Sequence, residues 1–336
     1  MTLRFAAIGL DHRHIYHMVG ELIAAGAVCA GYCPETSDPR VLEGFRERFP
    51  GLEPRDRAAL LSDPDIQIVA CAAIPADRTA IAIAAMQAGK DVMLDKPGAI
   101  HLHQVEALKL VAGQTGRLLS ICFSERFVVR ACEMASRLVG QGAIGRVIQT
   151  TGLGPHRLNR AIRPEWFFRP SAFGGILTDI ASHQIDQFLH FTGASSARIT
   201  AAHTANRGVP DLPAFRDYGE ILLESEGANG FIRVDWFTPD GLPTWGDGRL
   251  FLLGTEGTIE LRKYVDVAGR PGGDHLFLID RQGTRHIDCS TEPLTYFTRF
   301  LADVRDRSHT AMPADHALTV TRLAIEAQLL ADGGAA

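Results

Sequence analysis

The sequence lacks the long apolar runs, paired cysteines and charge excess that mark several large classes of protein. No apolar run approaches the roughly 18–20 residues that span a bilayer. The six cysteines include no C-x-x-C pair, which favours reduced thiols over a disulfide framework. The net charge of −5 gives no reason to expect nucleic acid or an anionic membrane as a partner. The first residues show no signal-peptide pattern, so we expect a cytoplasmic protein.

Glycine is also scarce in the first turn of the chain. The apolar run "RFAAIG" leads into "LDHRH", where a dinucleotide-binding turn would follow the pattern G-x-G-x-x-G. Gly9 is present, but Asp11 and His14 stand at the other two positions. The second glycine normally lets the backbone reach a pyrophosphate. An uncompensated carboxylate about 4 Å from a phosphate, at an effective dielectric constant of about 20, costs roughly 4 kcal/mol.

Two compensations for this carboxylate are open. His12, Arg13 and His14 each offer a donor to phosphate oxygens at a helix N-terminus. Alternatively, Asp11 turns inward and caps that helix. Together with His17 these side chains are also possible metal ligands, but we expect no metal site, because His12 need not share a helix face with the other two histidines.

Residues 1–123 predict a doubly wound parallel sheet, a dinucleotide-binding Rossmann domain. Near-continuous apolar runs alternate with helical stretches that end in glycine. The candidate strands are "RFAAIG", "VCAGYC", "IQIVACAA", "DVMLD" and "LLSICF". Such sheets bind their ligands beyond the carboxyl ends of the strands.

Residues 124–336 predict a second domain with an open, mainly antiparallel sheet flanked by helices. Gly227–Gly230 and Thr255–Gly257 are typical of hairpin connections between strands. Helices are expected at about 125–140 and 175–191, with a further pair between 293 and 332. We expect this domain to bind substrate and to mediate oligomerisation.

Two segments offer residues for chemistry. Lys96 lies just past the fourth strand and before a proline, where an ammonium can donate a hydrogen bond to developing charge on a substrate oxygen. On a regular helix Asp179, His183 and Asp186 fall within roughly 60° of one another. An acid one turn before a histidine orients the ring and raises its pKa, so the ring can transfer a proton. On spacing alone, a solvated polar face explains the second segment equally well.

These motifs in this order resemble the glucose–fructose oxidoreductase and inositol dehydrogenase family (Gfo/Idh/MocA). The motifs are Asp95-Lys96-Pro97 and a later "GG-x-x-x-D-x-x-x-H-x-x-D" helix. The resemblance implies a Rossmann domain, an open antiparallel sheet, and NAD or NADP as cofactor. It implies that Lys96 is the catalytic lysine, that His183 transfers the proton and that Asp179 supports it. It also implies a cis Lys96–Pro97 peptide and a structural role for Asp186.

The cofactor region departs from the family pattern beyond the first turn. Cys33 stands near the expected ribose-binding acid, with Glu35 close by and Arg40 able to pair with a 2′-phosphate. Pro75 is kept, but the polar pair that commonly follows it is replaced. The residues expected to bind the cofactor are Gly9, Asp11, His12, Arg13, His14, Cys33, Glu35, Pro75, Lys96 and Pro97. The residues expected to contact substrate are Arg126, His156, Trp166 and Asp186.

We therefore expect an oxidoreductase that transfers a hydride between a nicotinamide cofactor and a sugar, a polyol or a related hydroxy or oxo compound. One alternative is a redox-neutral lyase or glycoside-cleaving enzyme with tightly bound NAD. Another is a sugar-binding relative without catalysis. The expected partners are a small-molecule substrate and further copies of the chain, as a homodimer or homotetramer formed through the C-terminal sheet.

Overall fold

The computed structural model describes residues 2–334, and their contacts divide them into two compact units. The first unit comprises the chain up to Cys122 with Ser171–Phe173 and Thr295–Thr321. The second comprises Phe123–Pro170, Gly174–Leu294 and the chain from Arg322. The division into domains 1–123 and 124–336 stays a prediction, because compact units need not fold as separate domains.

The helices and strands follow the predicted alternation. The helices are α1 (His14–Ala24), α2 (Pro39–Arg48), α3 (Arg57–Ser62), α4 (Pro75–Gln87), α5 (Leu102–Thr115), α6 (Ser124–Phe127), α7 (Arg130–Gly140), α8 (Pro170–Phe173), α9 (Ser182–Thr192), α10 (Tyr296–Asp306) and α11 (Ala314–Ala331). The strands are β1 (Arg4–Leu10), β2 (Val28–Tyr32), β3 (Ile68–Ala72), β4 (Asp91–Asp95), β5 (Leu119–Cys122), β6 (Val147–Pro155), β7 (Arg198–Ala205), β8 (Tyr218–Ser225), β9 (Ala228–Asp235), β10 (Arg249–Gly254), β11 (Thr258–Arg262), β12 (His275–Asp280) and β13 (Gly283–Asp288).

The first unit contains a five-stranded parallel sheet in the order β2-β1-β3-β4-β5. Every residue of β3, β4 and β5 is buried, as expected for strands covered on both faces. The strand order reverses direction at β1, and open α/β sheets bind their ligands at the carboxyl edge beside such a reversal. The predicted Rossmann architecture is confirmed.

The second unit contains an eight-stranded sheet in the order β13-β12-β11-β10-β6-β9-β8-β7. Only β6 and β9 pair in parallel among these strands, so the predicted mainly antiparallel sheet is confirmed. Both predicted hairpins are present, joining β8 to β9 and β10 to β11.

One face of this sheet is covered and the other carries exposed apolar side chains. The covered face packs α7 residues such as Cys132 and Ala135 against strand residues such as Leu250 and Leu276. The alternate positions of the strands point outward and include three apolar side chains that are 41–48% exposed, namely Leu222, Leu253 and Ile279. No helix in the part of the chain described, residues 2–334, has the length and apolarity needed to cross a membrane.

A buried carboxylate fixes the chain after α10. Asp303 is 3% exposed and accepts hydrogen bonds from the Ser308 hydroxyl at 2.6 Å, from both the backbone and the hydroxyl of Thr310 at 2.8 and 2.9 Å, and from the Ala311 backbone at 2.8 Å. Burial alone would raise the pKa of Asp303, but the hydrogen bonds from Ser308, Ala311 and Thr310 outweigh it and hold the pKa below its ordinary value. The ionised carboxylate therefore stabilises the folded chain.

We predict that Asp303→Asn lowers the free energy of unfolding by about 2 kcal/mol at neutral pH, because the amide adds donors where the chain already supplies donors. The folded-state pKa lies below the unfolded one, so the contribution is present above about pH 4 and is lost as pH falls further. Urea unfolding of the parent protein and the variant across this pH range measures the difference in the free energy of unfolding. Asp306→Asn, an exposed neighbour on α10, is the control; equal losses for the two variants would contradict the prediction.

Candidate active site

The first turn after β1 keeps one glycine because the backbone there requires it. Gly9 has φ +79°, and a Cβ at this position would lie 2.5 Å from the Cβ of Ala73. The His12 backbone then donates a hydrogen bond to the Ala72 carbonyl oxygen at 2.9 Å, which ties the turn to the end of β3. Gly9 therefore allows β1 and the chain after β3 to approach closely.

The Asp11 carboxylate points into the loop after β2. It accepts hydrogen bonds from the Ser37 backbone at 2.6 Å, the Ser37 hydroxyl at 2.8 Å and the Thr36 hydroxyl at 3.1 Å. The alternative in which Asp11 caps α1 is wrong, since its carboxylate bonds to this loop and the first N–H of α1 donates to His12 Nδ1 at 3.3 Å instead. The loop donates three hydrogen bonds to the Asp11 carboxylate, whereas a cap on α1 would give it one, so the carboxylate is better stabilised in the loop.

This arrangement fits a dinucleotide. The Asp11 charge is compensated by the loop, so it does not face a phosphate without partners. The N-cap residue of α1, Arg13, makes no side-chain cap, and its side chain is exposed. His14 lies in the same turn with 37% of its side chain exposed. Two basic side chains at a helix N-terminus are suited to a pyrophosphate.

A buried ion pair holds the ends of β3 and β4. Arg78 is 1% exposed and donates to the Ala73 carbonyl oxygen at 2.8 Å and to Asp95 Oδ2 at 2.9 Å. It also donates to the carbonyl oxygens of Asp95 at 3.1 Å, of Lys96, and of Pro97 at 2.9 Å. One guanidinium thus binds three successive carbonyls and fixes the backbone that carries Lys96.

Lys96 lies directly after β4 and is 5% exposed. Its backbone N–H donates to Asp95 Oδ1 at 2.8 Å, and the Lys96–Pro97 peptide is cis, as the resemblance implied. Pro75 begins α4, the helix that also carries Arg78. Sequence reasoning singled out neither Arg78 nor the ion pair that it forms.

Two histidines of the first turn reach the same carboxylate. His14 Nδ1 lies 2.8 Å and His12 Nδ1 lies 3.5 Å from oxygens of Asp95. Burial, followed by the charge of His14, holds the pKa of His12 well below its ordinary value. Burial opposes ionisation of Asp95, but the charges of His14 and Arg78 outweigh it and hold its pKa far below the ordinary value. The side chains of His12, His14, Arg78 and Asp95 therefore form one network of interacting groups.

His12, His14 and Asp95 are also the residues that could hold a metal ion. One ligand atom from each lies within 4.8 Å of the others. The two Asp95 oxygens already bond to His14 and Arg78, so a cation at this position would have to displace the guanidinium. The geometry therefore favours an ion-pair network over a metal centre.

The remaining predicted cofactor residues have protein partners or are buried. Cys33 is 1% exposed, and Glu35 pairs with Arg57 at 2.7 Å. Arg40, the expected partner of a 2′-phosphate, binds Asp38 through two nitrogens at 2.9 and 3.0 Å. A 2′-phosphate would therefore have to compete with Asp38 for this guanidinium.

In the second unit, the predicted helix over 175–191 begins with a π-helical turn. This turn spans Leu177–Ala181, and α9 continues from it to Thr192, with Gly193 in the left-handed conformation at φ +71°. A π-helical turn contains more residues than an α-helical one, so the predicted 100° per residue does not hold through Asp179. Such turns occur often at functional sites.

The polar residues of this helix are not solvated. Asp179, His183 and Asp186 are 9%, 2% and 0% exposed, so the interpretation as a solvated polar face is wrong. The His183 ring contacts Phe123 edge-to-face, with 6.3 Å between ring centroids. Buried polar groups of this kind are retained where they have partners or chemistry to perform.

Two of the predicted substrate contacts bind each other. Arg126 donates to both oxygens of Asp186 at 2.7 Å, and its guanidinium lies 4.2 Å from the ring centroid of Phe127. This bidentate pair ties α6 to α9. It agrees with the structural role that the resemblance implied for Asp186.

The other two predicted substrate contacts differ in exposure. Trp166 is 5% exposed and packs against Phe167. His156 is partly exposed, shares a hydrogen bond with the Gly154 carbonyl oxygen at 3.0 Å, and lies 4.5 Å from the Trp245 ring. His156 is therefore the better placed of the two to contact a small ligand.

A second buried ion pair in this unit was not predicted. Lys263 Nζ donates to Glu125 Oε2 at 2.6 Å, and both residues are at most 2% exposed. Burial opposes ionisation of Glu125, but the charges of Lys263, His183 and His156 outweigh it and lower its pKa to about 2. The partners are 138 residues apart, and no local sequence pattern connects them.

The two folds and the buried polar residues define the class of protein, a nicotinamide-dependent oxidoreductase. Residues 37–123 match the model described as "Oxidoreductase family, NAD-binding Rossmann fold". Residues 133–260 match that of the "GFO/IDH/MocA C-terminal domain". The chain belongs to the Gfo/Idh/MocA family and uses NAD or NADP, which confirms the predicted family and cofactor.

Individual relatives agree with this assignment. A crystal structure of a candidate oxidoreductase from Erwinia carotovora atroseptica SCRI1043 is 44% identical, with a TM-score of 0.94, over 98% of this chain and 99% of that one. The scyllo-inositol 2-dehydrogenase (NAD⁺) of Bacillus subtilis is 27% identical over 84% of this chain and 82% of its own length. The levoglucosan dehydrogenase of Pseudarthrobacter phenanthrenivorans is 31% identical over 54% and 47%.

We predict that Arg78→Met lowers the free energy of unfolding by about 3–5 kcal/mol, because it leaves the Asp95 carboxylate buried beside carbonyls that have lost their donor. Equilibrium urea unfolding measures this loss. Arg281→Met, at a side chain that is 84% exposed, is the matched control and should stay within about 0.5 kcal/mol of the parent. An Arg78 variant as stable as this control would contradict the assigned role.

Proposed function

We propose that the substrate of this oxidoreductase is a sugar, a polyol or a related hydroxy or oxo compound. Two relatives support the class by name, since they are dehydrogenases of scyllo-inositol and of levoglucosan. The observation that carries the proposal is the buried Lys96, held at the carboxyl end of β4 by the Arg78–Asp95 pair. A cation fixed at the ligand-binding edge of such a sheet is suited to a reacting oxygen.

The proposed roles follow from the chemistry of each side chain. Lys96 donates a hydrogen bond to the reacting oxygen and stabilises the negative charge that develops there. His183 accepts or returns the proton, and Asp179, one helical turn earlier, supports it. When bound, the nicotinamide cofactor supplies the hydride acceptor or donor, which no side chain can replace. Arg13 and His14 bind its pyrophosphate.

Turnover with candidate polyols tests this function. We predict that the protein oxidises scyllo-inositol or levoglucosan with a net rise in the absorbance of the reduced nicotinamide. Lys96→Met should lower kcat by about 100-fold or more, because a donor to the reacting oxygen is lost. Lys109→Met, an exposed lysine on α5, is the control.

Two results would contradict this proposal, each in a different way. Full activity of the Lys96 variant would remove Lys96 from the proposed chemistry. Consumption of a sugar with no net change in absorbance would instead indicate the redox-neutral alternative, in which the hydride returns to the product.

We also propose that copies of the chain associate through the outer face of the eight-stranded sheet. The exposed Leu222, Leu253 and Ile279 on this face support an interface, since exposed apolar side chains on an uncovered sheet face tend to be covered in solution. Light scattering should give two or four times the chain mass of 36.5 kDa. A monomer at micromolar concentration would contradict this proposal. We further propose a cytoplasmic location, which the six free cysteines support.

A further inference from the structure

The carboxylate of Glu125 is bonded on one oxygen only. Oε2 accepts from Lys263 Nζ at 2.6 Å and from Gln184 Nε2 at 2.9 Å. Oε1 is buried, and no donor within residues 2–334 bonds to it. Glu125 itself is 1% exposed, so this oxygen is an acceptor without a partner inside the protein.

The carboxylate of a neighbouring ion pair in the same unit has a different set of hydrogen bonds. In the Arg126–Asp186 pair, both carboxylate oxygens accept from the guanidinium at 2.7 Å. Glu125 instead has two donors on one oxygen and none on the other. Buried polar atoms usually have a hydrogen-bond partner, so Oε1 is an acceptor that can take a donor from a ligand.

The surroundings of Glu125 indicate the kind of donor. His183 and His156 lie close enough to help lower its pKa, and burial together with Glu125 raises the pKa of Tyr264 well above its ordinary value. The rings of His156 and Trp245 have centroids 4.5 Å apart, as do those of Trp245 and Tyr264. Trp245 is 43% exposed, and the ring that it contacts, Tyr264, directly follows Lys263, the residue that bonds to Glu125.

Aromatic rings beside a hydrogen-bonding carboxylate match the chemistry of a cyclic polyol or a sugar. The C–H face of such a ring packs on aromatic side chains, and its hydroxyls donate hydrogen bonds to acceptors. An ionised carboxylate oxygen only accepts, so a carboxylate or phosphate group of a ligand would be repelled at this position.

We propose that Glu125 binds a substrate hydroxyl through Oε1 and forms, with the neighbouring Trp245, a subsite for a neutral sugar or polyol. This inference rests on the proposed function, because it names a second contact of the same substrate. Lys263 and Gln184 hold the carboxylate in place by bonding to its other oxygen. The subsite selects ligands with a hydroxyl that is not the reacting one.

Glu125→Gln tests the subsite with little change of shape. The amide oxygen can keep the bonds from Lys263 and Gln184, while the amide nitrogen replaces the acceptor at Oε1 with a donor. We predict that kcat/KM for scyllo-inositol or levoglucosan falls about 10- to 100-fold. Glu226→Gln, an exposed glutamate in the β8–β9 turn, is the matched control and should retain the parent value.

Monodeoxy derivatives of levoglucosan, whose hydroxyls are not equivalent, separate substrate binding from a structural effect. With the derivative that lacks the bound hydroxyl, kcat/KM of the parent protein should fall about as much as kcat/KM of the Glu125→Gln variant falls with the full substrate. With that derivative, kcat/KM of the variant should be close to that of the parent protein, because the hydrogen bond to Glu125 is absent in both. Glu125→Asp is the alternative if the Gln variant is unstable. It keeps a negative charge for Lys263, but its shorter side chain moves the acceptor oxygen away from the substrate. It should give the same selective loss of kcat/KM.

A loss that is equal across all derivatives, or activity equal to that of the Glu226 control, would contradict this inference alone, provided that the parent protein turns over a polyol. A parent protein that turns over neither polyol would contradict the proposed function, and the subsite would be rejected with it.

Discussion

The ion pair between Arg78 and Asp95 is the interaction on which the ligand-binding edge of the first unit depends. It joins the chain after β3 to the end of β4 and binds the three carbonyls around Lys96. The same carboxylate also bonds to His14 in the first turn. Because both charges are buried, each partner leaves an uncompensated charge if the other is removed. Lys96 is thus positioned by backbone contacts as well as by its place after the strand.

A similar compensation explains how the first turn tolerates an acid. Asp11 occupies a position where a dinucleotide-binding turn commonly has glycine, yet Thr36 and Ser37 supply three hydrogen bonds to its carboxylate. Gly9 is retained because a side chain there would overlap Ala73. The unusual sequence of the turn therefore preserves the close approach of the strands. What differs from the common pattern is that an acid is present and that the following loop bonds to its carboxylate.

Local patterns predicted the fold but not the buried ion pairs that support the candidate site. Apolar runs and glycine-closed helices predicted both sheets, and the family resemblance singled out Lys96 and His183, whose roles stay predictions. The π-helical turn before α9 was missed because regular helical spacing assumes one geometry. Arg78 was missed because no local sequence pattern shows that an arginine in α4 is buried. Glu125 and Lys263 are brought together only by tertiary packing.

We propose that the turn from Gly9 to His14 binds a dinucleotide, because the following loop bonds to the Asp11 carboxylate. Fluorescence titration of the purified protein with NADH and NADPH tests this proposal, together with a check of a denatured sample for released nucleotide. We expect saturable binding of at least one of the two, or nucleotide carried through purification. No binding of either, with none released on denaturation, would contradict the proposal.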